Sequence, residues 1–256
     1  MVNITDDKIS VKNNCRKEKP DVTLSCHPLR NYTSPPTLEE LESFFTEIDN
    51  GGKYKPKDVG SDYKLAIIIP YRNREPHLRS ILFRLHDMLP RQHLAYGIYV
   101  VEEASPTKFN RAMLLNIGFK ESIKAHNYSC FIFHDVDMIP VSDDSPYTCS
   151  SQPVDMGGYI NKNNYTLRYR NHFGGVSAMT KEQFMKVNGF SNLYFGWGAE
   201  DEDMANRYKL LKNSSARFKH DGLSTMKYTL LRKEERKLYT WIYVKLDEAE
   251  VMAVSL

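Results

Sequence analysis

Three short apolar runs constrain this chain more than any other feature: LAIIIP at 65–70, AYGIYVV at 95–101 and CFIF at 130–133. The first lacks polar–apolar alternation, and a strand without alternation is one covered on both faces, as in an α/β sheet. Amphipathic stretches lie between the runs. A helix is expected from Glu75 to Leu89, with Leu78, Ile81, Leu82, Leu85 and Met88 along one face. A second is expected to start at Pro106, with Phe109, Ala112, Met113, Leu115, Ile117 and Phe119 on its core side. Strand, helix, strand, helix, strand is the opening of a doubly wound α/β fold. Ligands in such sheets bind beyond the carboxyl ends of the strands, so the residues after each run come first in any search for chemistry.

A chain of 256 residues can bury about 70–75% of its unfolded surface, in one large domain or two smaller ones. Hydrophobic residues at 41% and charged residues at 26% exclude a disordered, collagen-like or polytopic membrane chain. The apolar runs last a few residues where a membrane span needs about 20, and the start MVNITDDKIS has no apolar h-region. Neither a signal peptide nor a transmembrane helix is therefore expected, and the chain reads as a soluble body or one cut from something longer. A net charge of +3 with scattered basic residues gives no nucleic-acid footprint. Residues 1–36 are polar and proline-interrupted, and read as an irregular arm. Thr37, with Glu40 three residues on, has the spacing of a capping box for a short helix through Ile48.

N-x-S/T tripeptides stand at Asn3, Asn31, Asn127, Asn164 and Asn213, and five of them point to the secretory pathway. In that setting the cysteines at 15, 26, 130 and 149 are candidates for two disulfides, 130 with 149 and 15 with 26, or for four buried thiols. They show no zinc spacing.

The strand CFIF runs directly into HDVDMIP, with Asp135 and Asp137 two residues apart. Carboxylates there can share a hard divalent cation with a diphosphate, which supplies the remaining ligands; the alternative is a solvated or capping pair. A second acidic group, Glu200 to Asp203 in FGWGAEDEDMANR, opens a helix running to about Leu211, where a helix start favours negative charge. Before it, Trp197 stands between Gly196 and Gly198, as on a mobile loop that offers an aromatic face to a sugar. Asp201 beside it can take a proton from an attacking hydroxyl. The competing reading is a buried tryptophan anchor followed by capping acids. Arg72 and Arg74 in PYRNRE follow the first strand, where guanidinium forks grip phosphate. HFGGVSAMT at 172–180 puts paired glycines before a small-residue turn, and Thr180 with Gln183 caps the next helix. No G-x-G-x-x-G, P-loop or G-x-S-x-G motif occurs.

In order and over most of the chain, these segments resemble the β-1,4-galactosyltransferase family. The matching stretches are IIIPYRNR (67–74), YGIYVVEEASPTKFNRAMLLNIGF (96–119), CFIFHDVDMIP (130–140), FGGVSAMT (173–180), NGFSNLYFGWGAEDEDMANR (188–207) and DGLSTMKYTL (221–230), followed by LYTWIYV. The resemblance implies a GT-A-type mixed sheet with flanking helices, as a single catalytic domain over 52–250 behind an arm and short helix at 1–51. It implies manganese-dependent, inverting transfer of galactose or N-acetylgalactosamine from its UDP-sugar, in β-1,4 linkage, to a terminal N-acetylglucosamine acceptor of a glycoprotein or glycolipid glycan. It further implies a Golgi type II membrane protein whose catalytic domain faces the lumen. By position, Pro70, Tyr71, Arg72, Arg74, Phe109 and Arg111 would hold the UDP part. Asp135 and Asp137 would form the D-V-D motif, with Asp137 the direct metal ligand. Trp197 would lie over donor and acceptor, Glu200 and Asp201 would contact sugar, and Asp201 would be the general base. Cys130 and Cys149 correspond to a family disulfide.

Several positions depart from the family pattern. His172 replaces the tyrosine beside the donor's C2 substituent, which leaves the choice between galactose and N-acetylgalactosamine open. Ala199 replaces the glycine after W-G, Glu202 replaces an aspartate, and Val59 stands where the partner of Cys26 should be. The family's metal-binding M-x-x-H segment and the long loop after it have no counterpart, since Asp221 follows Asp203 after 18 positions. The nearest match, Arg217 to His220, makes His220 the candidate second metal ligand. Two expectations follow: a metal-dependent transferase, or a weakened or inactive family member that binds nucleotide or sugar, in either case a fragment or unanchored form.

Overall fold

A computed structural model describes residues 2–3, 35–58, 64–104, 108–166, 173–196, 198–210 and 220–254. The three apolar runs form β3 (Leu65–Tyr71), β4 (Tyr96–Glu103) and β5 (Cys130–His134), following the short β1 (Val2–Asn3) and β2 (Lys53–Tyr54). β3 lies between the other two and is parallel to both, with Ile67 opposite Ile98 on one side and Ile132 on the other. Alternate residues of these strands enter two different cores. Ile67, Ile69, Ile98, Val100 and Ile132 pack with Leu78, Ile81, Leu82, Leu85 and Met88 of α2 (Glu75–Met88). Ala66, Ile68, Tyr99, Val101, Phe131 and Phe133 pack with α3 (Arg111–Ala125) on the opposite face. Burial on both faces is why the strands read as continuous apolar runs. α3 approaches β3 closely: a Cβ on Gly118 would stand 2.2 Å from the Ile68 side chain, so only glycine fits there.

The short helix α1 (Leu38–Phe44) starts on the expected capping box, with Thr37 accepting from the Glu40 backbone N–H. It stops four residues before the expected end at Ile48, because the chain turns at Phe45. Leu41, Phe45 and Ile48 thereby pack in the core cluster of α2 and β3. α3 does not start at Pro106, which lies outside the described residues. Its cap is Asn110, whose side-chain oxygen accepts from the Met113 N–H at 2.9 Å. Asn110 is fixed in turn by the buried Glu103, which accepts from its backbone N–H at 2.9 Å. Phe109 thus precedes the helix instead of lying on its core face.

The second half of the sheet is antiparallel. VSAMT, expected as a turn, is the buried strand β8 (Val176–Thr180), which pairs with β5 with Ser177 opposite Phe133 and Thr180 opposite Cys130. Its residues stand opposite those of β5, Ala178 against Ile132 and Met179 against Phe131, and a strand set by such tertiary pairing has no local periodic signal. Thr180 and Gln183 then form the expected capping box of α4 (Lys181–Lys186). After the short β6 (Met138–Ile139), β7 (Val154–Asp155) pairs with β8. On the far side β10 (Thr240–Lys245) runs parallel to β4 and antiparallel to β9 (Thr229–Glu235), giving the order β7-β8-β5-β3-β4-β10-β9, with β2 beside the start of β4. This mixed α/β sheet with helices on both faces is the expected fold class, and its doubly wound opening is the parallel trio at its centre. Helices α5 (Glu200–Leu210) and α6 (Glu248–Val254) complete the described elements. Cys130 and Cys149 form a disulfide with Cα atoms 5.6 Å apart. None of the described helices is long and apolar enough to cross a membrane.

The foot of α5 is tied to the segment after it. Arg207 donates to Asp203 on its own helix and to Asp221, each at 2.7 Å. Asp221, 1% exposed, also accepts from the Ser191 hydroxyl and from the Asn192 N–H.

Candidate active site

The carboxyl ends of β3 and β5, the starts of α3 and α5, and the glycines before β8 meet at one edge of the sheet. Pro70 and Tyr71 end β3 and are buried, and burial with the neighbouring Glu102 carboxylate raises the Tyr71 phenol above its ordinary range. Arg72 follows, its guanidinium 5.1 Å from the centre of the Phe109 ring, a cation–π distance that orients both. Arg74 reaches Asp137 with Nη1 3.0 Å from Oδ2, and its side chain stays 53% exposed. An exposed pair of this kind is weak, so both groups can exchange partners with a ligand.

Arg111 is the hub. Its Nε lies 2.5 Å from Asp135 Oδ1 and its Nη1 3.3 Å from Glu200 Oε1, joining residues that are 24 and 89 positions away in sequence. Burial pushes the Asp135 carboxyl up to about 6 against the opposing pull of Arg111. Burial also disfavours the Arg111 charge, yet the Asp135 and Glu200 carboxylates outweigh it and hold the guanidinium protonated. Beneath this group His134 is neutral: its Nδ1–H donates to the Asp135 carbonyl, its Nε2 accepts from the Tyr147 hydroxyl, both at 2.8 Å, and burial lowers it to about 4.

Asp201 lies against the glycine pair before β8. A Cβ on Gly174 would stand 2.3 Å from Asp201 Oδ2, so the carboxylate occupies the space a side chain would fill. The next residue, Gly175, accepts from the Asp135 N–H at 2.8 Å, so one short turn touches both acidic segments. The Gly196 N–H donates to the Phe109 carbonyl at 2.9 Å, which fixes the start of the glycine-bracketed loop beside Arg72. Ala199, just ahead of α5, has φ 76°, a left-handed conformation that suits glycine and costs a residue with a Cβ.

The structure thus gathers Pro70, Tyr71, Arg72, Arg74, Phe109, Arg111, Asp135, Asp137, Glu200 and Asp201 around one edge. Trp197 and His172 lie outside the described residues. His220 is exposed, and among the described residues no group of three or more His, Cys, Asp and Glu side chains is arranged to hold a metal ion. Sequence reasoning did not single out Glu103 and Asn110, which set the start of α3 and so the position of Arg111. A buried acid seven residues before a capping asparagine has no local pattern that could have marked it.

Comparison with known proteins bears on this arrangement. A family model described as the N-terminal region of glycosyl transferase group 7 matches residues 15–150, and one described as the N-terminal domain of galactosyltransferase matches 156–234. Beta-1,4-galactosyltransferase 4 of Cricetulus griseus is 42% identical over 243 residues, covering 81% of this chain and 70% of that protein. The chain belongs to the β-1,4-galactosyltransferase family. Beta-1,4-galactosyltransferase 1 of Mus musculus is 52% identical over 170 residues, covering 66% of this chain and 43% of that protein. Among solved structures, the catalytic domain of Drosophila β1,4-galactosyltransferase 7 in complex with xylobiose superposes with a TM-score of 0.64 at 25% identity, over 72% of this chain and 94% of that one. The galactosyltransferase sheet is therefore the frame that carries Arg111, Asp135 and Glu200.

Proposed function

We propose that this chain transfers galactose or N-acetylgalactosamine from a UDP-sugar, in β-1,4 linkage, to an acceptor ending in N-acetylglucosamine. The observation that carries the reading is the Arg111 bridge between Asp135 and Glu200, in a chain 42% identical to a β-1,4-galactosyltransferase. It ties a strand-end carboxylate, where a diphosphate would lie, to a helix-start carboxylate, where a sugar would lie. Arg72 and Arg74 grip the phosphates, since planar guanidinium groups match phosphate oxygens in pairs. Glu200, oriented by Arg111, accepts from sugar hydroxyls. Asp201 takes the proton from the attacking acceptor hydroxyl. Trp197 and His172, outside the described residues, enter the proposal by family resemblance alone: the first would lie over donor and acceptor, the second beside the C2 substituent that distinguishes the two donors.

The carboxylate pair after β5 fits a cation shared with a diphosphate, because such ions take one or two carboxylates and complete their shell from phosphate oxygens. Asp137 would hold manganese, with His220 a further ligand, and the ion would offset the charge of the departing diphosphate. A β1,4-galactosyltransferase 7 mutant of the same fold is known in complex with manganese and UDP-Gal. The disulfide Cys130–Cys149 suits an oxidising compartment, and the Golgi lumen is the place of action we assign.

Release of UDP from UDP-galactose and from UDP-N-acetylgalactosamine, with an N-acetylglucosamine acceptor and with and without manganese, tests this. Turnover is expected, and Asp201→Asn should reduce it by about 100-fold or more while nucleotide binding persists. Nucleotide binding by the unaltered protein without turnover at saturating manganese would instead identify a binding module, the reading favoured by the lack of a three-ligand metal cluster among the described residues.

A further inference from the structure

Asn127 and Asn164 are the two N-x-S/T asparagines whose side chains fall among the described residues, and they differ in how the fold holds them. At the first, Tyr128 is fully buried against Tyr99, the Asn127 Oδ1 accepts from the Lys181 ammonium at 3.3 Å, and the Ser129 hydroxyl donates to the Lys64 carbonyl. That tripeptide is part of the sheet's lower edge. At the second, Asn164, Tyr165 and Thr166 are all exposed. Asn164 ends the single 3-10 turn Asn161–Asn163 in a left-handed conformation, φ 50°. Among the described residues its side-chain amide makes no hydrogen bond, while Thr166 turns back to the Asn163 carbonyl at 2.6 Å. The turn is anchored from behind, since the Tyr165 N–H donates to the carbonyl of Ile160, which packs against the core.

We infer that Asn164 carries an N-linked glycan. A tripeptide of this pattern with no proline in the middle is the acceptor sequence, and a bulky polar adduct requires a surface loop with an open amide. In the transfer, Asn164 Nδ2 bonds to the anomeric carbon of an oligosaccharide held by diphosphate on a lipid carrier. The carbon–oxygen bond to diphosphate breaks, and the amide proton leaves with the diphosphate. The Cys130–Cys149 disulfide independently matches the oxidising compartment in which this chemistry occurs. The location also matters. β7 runs parallel to β5, so residues 156–166 leave the sheet at its carboxyl-end edge, and Gly157 lies against the backbone of Gly174 and Gly175. The segment that carries Asn164 therefore leaves the sheet on the side where Asp201 stands.

Site mapping on the protein isolated from its own cells tests the assignment without any assay of sugar transfer. Trypsin cuts after Lys162 and Arg168, and peptide N-glycosidase in heavy-oxygen water converts a glycosylated asparagine to labelled aspartate. The expected product is peptide 163–168 labelled at Asn164, with Asn163, which heads no acceptor tripeptide, unchanged. Recovery of that peptide in bulk with unlabelled Asn164 overturns the inference. In the intact protein, Asn164→Gln and Thr166→Ala should each remove one glycan's worth of mass. Unchanged mass in both variants also overturns it.

Discussion

Arg111 and Asp135 meet at 2.5 Å, binding the first residue of α3 to the residue that follows β5. The start of α3 and the end of β5, the two outer ends of one helix–strand unit, are thus locked together at the sheet edge. Replacing Arg111 by alanine leaves the partly buried Asp135 without its charged partner. We expect a loss of about 2 kcal/mol in stability and loss of UDP binding. Denaturant titration and nucleotide titration of the variant check the two effects separately.

Gly174 is predicted to be a catalytic rather than a folding position. Its added Cβ in Gly174→Ala would displace the Asp201 carboxylate, whose Oδ2 lies 2.3 Å away. A shift of about 1 Å in a reacting group can cost on the order of 100-fold in rate. Steady-state kinetics should show kcat falling with little change in KM for the donor. An unaltered kcat would show that Asp201 need not stay where Gly174 lets it sit.

Ala199 carries strain that glycine would remove. With φ at 76°, Ala199→Gly should raise stability by about 1 kcal/mol, opposite to the usual cost of a glycine. Thermal unfolding of the two proteins side by side gives the sign, and a lower melting temperature for the glycine form would refute it.

The disulfide Cys130–Cys149 closes a loop with a sequence separation of 19. Chain-entropy arguments assign such a loop about 3 kcal/mol. A Cys130→Ser, Cys149→Ser protein should unfold at correspondingly lower denaturant concentration, and reductant should destabilise the parent but not the variant.

Acid should unfold the protein earlier than its carboxylates alone would dictate. His86 and His134 are buried and neutral, each lowered by burial from 6.5 to about 4. Unfolding lets both take up protons, so their contribution is complete above about pH 6.5 and is lost as pH falls from there through 4. Each group accounts for about 3 kcal/mol over that interval. Stability measured from pH 7 to pH 4 should fall steeply, and less steeply in a His86→Gln protein.

Much of this architecture is legible in the sequence because it is local. The runs containing Ile67, Val100 and Ile132 announce buried strands, and Thr37 and Thr180 announce helix starts through residues three positions away. Beyond the early end of α1, two places where reading and structure part are tertiary. VSAMT forms a strand because it pairs in register with β5, Ser177 opposite Phe133 and Met179 opposite Phe131, and α3 begins at Arg111 because Glu103 holds Asn110 in place. The site divides in the same way. Asp135, Asp137, Glu200 and Asp201 stand out as acids at element ends, while Arg111 entered through family resemblance, since nothing near it in sequence marks it as the bridge between them.

The clasp between Arg207 and Asp221 separates the length of the chain from the integrity of the fold. Because those two residues are held together at 2.7 Å, the two ends of the chain that joins them are fixed close together whatever the length of that chain. Doubling the length of a flexible connection between fixed ends costs only about 0.6 kcal/mol in closure entropy. A change in the number of residues between Arg207 and Asp221 therefore leaves the fold's anchor at this point in place, because the clasp and not the connecting chain sets where its ends lie.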